Sequence, residues 1–183
     1  MKHSAVLIVF ALLAGCGVGS SAPEPRSFDL GLSAPATALP AVRIGTVRAV
    51  APFEGTDMQY RLAYRDAAEI AAFASSRWAA TPAEMLRKQL LRAAHDKAGK
   101  CVLDVEIQEF TQVFSAKDAS EARVELRAWL RSVAGARTES RGWSVSEPNA
   151  GADAISGAAA FARAANRAVG EVGSWVAAQA ACR

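Results

Sequence analysis

Three cysteines are the residues of this chain best suited to covalent chemistry, and their positions give them different prospects. Cys16 follows Leu13-Ala14-Gly15 at the end of an apolar run from Ala5 to Ala14, with Met1 and Lys2 ahead of it. A charged start, a short apolar stretch and small residues before a cleavage point make an export signal. The run is about half of the roughly 20 residues that a bilayer-spanning helix needs, so removal rather than retention is expected. Cys101 and Cys182 are then the remaining free thiols, and an oxidising envelope permits them to pair. Such a bridge would pin the C-terminal segment to a strand across a long loop, worth about 2–4 kcal/mol in the chain-entropy account. The alternative is two unpaired thiols, one buried and one frayed.

Leu13-Ala14-Gly15-Cys16 fits the lipobox of exported bacterial lipoproteins at all four positions. That likeness implies a diacylglyceryl group on the Cys16 thiol, cleavage before Cys16 and acylation of the new amine. An ordinary secretory signal with a chance cysteine is the competing reading. Three acyl chains, at about 0.8 kcal/mol per buried methylene, would hold the protein on a membrane permanently. Three segments follow: residues 1–15 as signal peptide, 16–26 as a lipidated Gly/Ser/Pro-rich tether, and 27–183 as one domain. The 168 residues left after cleavage suffice for a real core.

Other chemistry is sparse. Once His3 leaves with the signal, His95 is the sole imidazole, and no Cys-x-x-Cys exists, so neither a metal nor a cofactor is expected. Gly-x-Ser-x-Gly, His-Glu-x-x-His and P-loop patterns are missing from the sequence, and no catalytic residue is expected. Asp104 and Glu106 share a strand face and could pair as acid and base, but alternating charges on a solvated face account for them better. His95 beside Asp96 fits a helix end interacting with the dipole. Trp129 falls on the polar parity of its strand between Arg127 and Arg131, a grouping expected of a partner contact surface; the alternative is a bulge that buries it. The formal charge of +3 falls to +2 without Lys2, and no basic block points to nucleic acid.

The elements that would position these residues read as α+β: an antiparallel sheet of hairpins and a meander, with two helices packed on one face. Short strands are expected at Ser27–Gly31 and within Ala41–Val50. Met58, Tyr60, Leu62 and Tyr64 alternate as one strand face, and after a turn at Arg65–Ala68 the run Glu69–Ala74 returns as its partner. Thr81-Pro82-Ala83-Glu84 is a capping box that opens a helix, with Gly99 as its stop. Cys101, Leu103, Val105 and Ile107 alternate inward, then Phe110 and Phe114 switch parity, which predicts a bulge near Gln108–Glu109. Ala122 to Leu130 forms the next strand, Gly135-Ala136 turns, and Thr138–Ser146 completes the meander. A helix is predicted over about 153–180, its seam running through Ile155, Ala158, Ala162, Ala165, Val169, Val172 and Val176 towards the sheet.

In this order the motifs resemble the ABC-type transport auxiliary lipoprotein family, the PqiC-like components of MCE lipid-transport systems. The matching pieces are Phe28-Asp29-Leu30-Gly31, Met58-Gln59-Tyr60-Arg61, Arg77-Trp78-Ala79 with Thr81-Pro82, Leu86 through Leu90, Leu103 through Phe110, and Phe114 through Ser120, spanning residues 27–178. The resemblance implies a non-enzymatic periplasmic domain anchored at the inner leaflet of the outer membrane. It would assist an MCE-domain protein of a lipid transporter, and it would form homo-oligomers. Gly17 after Cys16 fits outer-membrane sorting. The other function class is a stand-alone envelope lipoprotein that captures an apolar ligand or assists outer-membrane assembly.

Overall fold

The computed structural model describes residues 24–32, 38–94, 99–133 and 138–182. The signal, Cys16, most of the tether, His95 and the Gly135-Ala136 turn lie outside the described residues. The elements are β1 (Arg26–Phe28), β2 (Arg43–Ala49), β3 (Asp57–Arg61), β4 (Ala71–Trp78), α1 (Pro82–Ala93), β5 (Cys101–Phe114), β6 (Ser120–Ser132), β7 (Thr138–Pro148) and α2 (Ala154–Ala178), followed by a 3-10 turn at Ala180–Cys182. Among the described residues, no helix is long and apolar enough to cross a membrane.

One seven-stranded sheet runs β1-β4-β3-β5-β6-β7, with β2 beside β5. It is mixed, which corrects the expectation of an antiparallel sheet. Strands β3–β4, β5–β6 and β6–β7 pair antiparallel, whereas β1–β4, β2–β5 and β3–β5 are parallel. The cause is α1. Its crossover carries the chain back from β4 so that β5 enters on the far side of β3, in the same direction as β3. Strand β5 is long enough to take two partners on that side, β2 along Val102–Ile107 and β3 along Thr111–Val113. The register slips between Ile107 and Glu109, where the bulge was expected.

Both helices lie on one face, α1 against β2 and β5 and α2 against β6 and β7, and they touch each other. Trp78, Phe110 and Phe161 meet at the centre, with ring centroids 4.5–5.5 Å apart. On α2 the buried stripe runs through Gly157/Ala158, Phe161, Ala164/Ala165, Ala168/Val169 and Val172/Gly173. Its small residues let backbone and sheet approach closely. Ile155, expected in the seam, is instead 51% exposed. A strict 3,4 spacing drifts around a straight helix of 3.6 residues per turn, so the two ends of such a seam cannot face the same plane.

Three local readings change. Strand β3 ends at Arg61, because Leu62 turns the chain through its carbonyl, which accepts from the amides of Arg65 (2.8 Å) and Asp66 (2.9 Å). Strand β1 is shorter than expected, ending at Phe28. Gly99 does not cap α1, which closes at Ala94. Its role is close approach: a Cβ there would sit 2.3 Å from the Ala41 carbonyl oxygen.

The capping box is formed as read. The Glu84 amide donates to the Thr81 hydroxyl (3.3 Å), and the Thr81 amide donates to the Glu84 carboxylate (3.0 Å). That backbone bond, with a second from the Thr81 hydroxyl, holds the Glu84 carboxyl below its ordinary value. A depressed folded-state pKa stabilises above the unfolded value and is lost as pH falls through the folded one. Thr81→Ala, which removes the hydroxyl that caps the Glu84 amide, is expected to lower the urea midpoint at pH 7. It should also narrow the gap in urea midpoint between pH 7 and roughly pH 3. An unchanged gap in the variant would show that the Thr81 hydroxyl carries none of this acid sensitivity and that the Thr81 amide bond alone does.

Candidate functional site

The inner face of the sheet is filled by the helices, so the sheet's own open surface is its outer face, and that face is divided. Over β3 and the second half of β5 the chain covers itself. Thr111 and Val113 point outward by parity yet are buried. The Arg61 guanidinium grips both oxygens of Glu109 (3.1 and 3.2 Å) and donates to the carbonyls of Ala67 and Ala68 (3.2 and 3.3 Å), tying down the loop after β3. Over β2, the first half of β5, β6 and β7 the face stays open.

Here the strands set out alternating side chains in register. Asp104 lies opposite Trp129, and Glu106 opposite Arg127. On the other side of β5, Arg48 lies opposite Glu106. Asp104 accepts from Arg131 (2.9 Å) and from the Thr46 amide (2.8 Å), and Glu106 is paired with Arg48. Each member of the carboxylate couple thus has its own arginine and sits in an ion pair on a wet face. The Glu84 and Asp153 carboxyls are both held below their ordinary values. Asp153 caps α2, held down by the Ser156 amide (2.8 Å) and hydroxyl (2.7 Å). Both belong to helix starts and neither faces the open surface. Among the described residues, no cluster of His, Cys, Asp or Glu could hold a metal ion.

Trp129 keeps the outward parity, since β6 pairs with β7 without slippage from Glu121 to Arg131. It is half-buried rather than projecting. Thr46, Arg48, Asp104 and Arg131 rise around it to form a groove of about 330 Å³. The Arg127 guanidinium lies 5.6 Å from the Trp129 ring centroid and is exposed. The structure therefore brings Trp129, Arg127 and Arg131 onto one patch but ties Arg131 to Asp104 and leaves Arg127 without a carboxylate among the described residues.

The remaining pair of expected site residues lies elsewhere. Cys101, at the buried start of β5, is bonded to Cys182 in the 3-10 turn, with 5.3 Å between their Cα atoms. Sequence reasoning missed Thr46 and Arg48, because alternation places them outward without revealing that β2 borders β5. It also missed Gln112, a fully buried amide that donates to the Ser120 hydroxyl (2.9 Å) and the Asp153 carbonyl (3.4 Å), linking β5 and β6 to the start of α2. Gly157 makes room for it, since a Cβ there would lie 2.2 Å from the Gln112 Oε1. A polar residue on an apolar parity was the available signal.

No family model matches this chain, and no curated protein matches it significantly. Its fold is similar to that of a Xanthomonas campestris protein of the DUF330 family, with TM-score 0.69 and 19% identity over 82% of this chain and 93% of that one. An uncharacterized protein aligns with TM-score 0.65 and 10% identity over 84% of this chain and 99% of its own. A lipoprotein from Neisseria meningitidis overlaps at TM-score 0.27 and 14% identity, over 58% of this chain and 78% of its own, too weak a likeness to carry an argument. At such identities the first two matches concern architecture alone: this chain has the α+β fold of the DUF330 protein.

Proposed function

We propose that this chain is an outer-membrane-anchored periplasmic lipoprotein, moored through Cys16, that serves as a non-enzymatic auxiliary subunit of an ABC/MCE-type intermembrane lipid transport system. The observation that carries the reading is Leu13-Ala14-Gly15-Cys16 at the end of a signal-length apolar run, ahead of a domain whose α+β fold is similar to that of a DUF330 protein. The Cys101–Cys182 bond fits an oxidising envelope. Its tether would let the domain stand off the headgroups, with the Trp129 patch free for an MCE-domain partner. An aromatic ring flanked by arginines is the composition that anchors protein interfaces.

Two measurements test it. Cys16→Ala should move the protein from the membrane fraction to a soluble or unprocessed form, and mass spectrometry of the wild-type N-terminus should find an acylated Cys16. A processed, membrane-bound variant would rule out the anchor. Affinity capture of the acylated wild type from a membrane-stabilised lysate should recover an MCE-domain protein, and failure to do so would remove the transport assignment.

A further inference from the structure

The outer strand β7 has one edge paired to β6 and, among the described residues, no strand on its other edge. Which of its backbone groups face the free edge follows from the register. The Asn149 amide donates to the Ser120 carbonyl directly opposite (2.9 Å), and bonded positions alternate along an antiparallel pair. Residues 139, 141, 143, 145 and 147 therefore bond to β6, and the N–H and C=O of Ser140, Gly142, Ser144 and Ser146 point away. Side chains from α2 confirm this parity at one end: Arg167 donates to the Ser146 carbonyl (2.9 Å) and Arg163 to the Pro148 carbonyl (2.7 Å). Pro148 has no N–H to offer. Edges are commonly blocked by such charged side chains and prolines. Among the described residues the blocking stops at Ser146, and nothing caps the edge over the Ser140–Ser144 stretch, where Ser140, Gly142 and Ser144 are exposed.

The three outward-facing residues of that stretch, Ser140, Gly142 and Ser144, are all small. Ser140 lies opposite Trp129, Gly142 opposite Arg127 and Ser144 opposite Glu125. With no side chain at Gly142 and only a hydroxymethyl at Ser140, nothing on β7 screens Arg127 and Trp129 from a strand laid along the free edge, roughly 4.8 Å further out. On the opposite face the exposed Arg141 stacks on Trp143 with its guanidinium 5.6 Å from the ring centroid, again without a carboxylate among the described residues.

We infer that the Ser140–Ser144 edge of β7 is a strand-addition site for an extended segment of a partner protein that sets a carboxylate over Gly142 beside Arg127. Main-chain hydrogen bonds to Ser140, Gly142 and Ser144 give affinity in such additions, and alternate side chains give selectivity. The register specifies those side chains for an antiparallel arrival. In the segment's own N-to-C order, a basic or neutral residue meets Ser144 beside Glu125, a carboxylate meets Gly142 under Arg127, and an apolar residue meets Ser140 beside Trp129. This deepens the docking part of the function proposed above and rests on it only for the existence of a partner.

The probe is a blocked peptide of about nine residues, with Lys, Glu and Leu at alternate central positions in that order and Thr elsewhere. A second peptide has Lys in place of the Glu. Titrated into the isotope-labelled mature protein, the first peptide should shift the amide resonances of Ser140, Gly142 and Ser144 saturably. Arg127→Glu should weaken that binding about tenfold, and the second peptide should regain it on the Arg127→Glu protein. Ser144→Pro, which removes an edge-facing N–H and the hydroxyl bond to Glu125 (3.2 Å) but no backbone bond to β6, should abolish binding with little change in melting temperature; if that variant fails to fold, the charge swap still decides. Absent binding, or binding indifferent to Arg127→Glu, overturns the inference. Self-association in sedimentation that Ser144→Pro abolishes, with no peptide binding, overturns it in favour of a second copy at the edge. If Ser144→Pro still captures an MCE-domain protein as the wild type does, strand addition fails while the transport reading stands. If the wild type captures none, only the latter falls.

Discussion

Reduction of the Cys101–Cys182 bond is expected to lower the unfolding free energy by about 4 kcal/mol, a large part of a small domain's stability. The two cysteines are separated by 81 positions, so the bridge closes a loop containing β5, β6, β7 and all of α2. Restricting so long a segment removes much of the freedom of the unfolded chain. In the folded state the bond also fixes the end of α2 beside the start of β5, at the opposite end of the helix from its Asp153 cap. Urea denaturation with and without reductant measures the effect, and the Cys101→Ala/Cys182→Ala double variant repeats it without thiol chemistry. Helix content should persist at the Asp153 end, where Gln112 and the Ser156 bonds hold the first turn. A midpoint that does not move on reduction would mean that the C-terminal segment is held by packing alone.

Truncating Phe161 should cost a similar amount, about 3–5 kcal/mol. Its ring stacks on Phe110 with centroids 4.5 Å apart and meets Trp78 edge-on at 5.2 Å. Those three side chains join α2, β5 and the end of β4, and all are 1–2% exposed. Phe161→Ala empties the middle of this triangle, and the flanking Ala160 and Ala164 are too small to fill it. Phe161→Leu keeps most of the volume but loses the aromatic geometry, so its loss should be smaller. Calorimetric or urea unfolding of the two variants gives the ranking. A cost below about 1 kcal/mol for the alanine variant would show that the site collapses easily and that this triangle is not the centre of the core.

How far the fold was readable depended on the range of the interaction involved. Alternation along Cys101–Ile107 and Ala122–Leu130 marked the inward residues, and the parity switch at Phe110 marked the bulge. The Thr81 cap was readable because a cap is a contact within four residues, and the start of the last helix was placed near Asp153. The hairpin return at Ala71–Trp78 also formed, although its Ala-rich opening would suit a helix. Misreadings cluster where a distant segment intervenes. Ile155 was placed inside by a periodicity that ignores which plane the helix meets, and Gly99 was read as a cap when Ala41 determines it.

The patch shows the same division. That Trp129, Arg127 and Arg131 share the polar parity of one strand followed from counting by twos. That Arg131 is neutralised by Asp104 while Arg127 stays available, and that Gly142 opens the way to a bare edge, needed β5 and β7 set beside β6 in a fixed register. Taken alone, the order of amino acids determined the Thr81 capping box, the inward-facing residues of the long strands and the α+β class, because these depend on chemistry repeated or completed within a few residues. The tertiary structure alone decided that β2 and β3 run parallel to β5, how the outer face is split between a covered and an open half, and which backbone groups remain unpaired. Backbone hydrogen bonds are the same for almost every residue type, so the choice of strand neighbours leaves little trace in any one strand's own sequence.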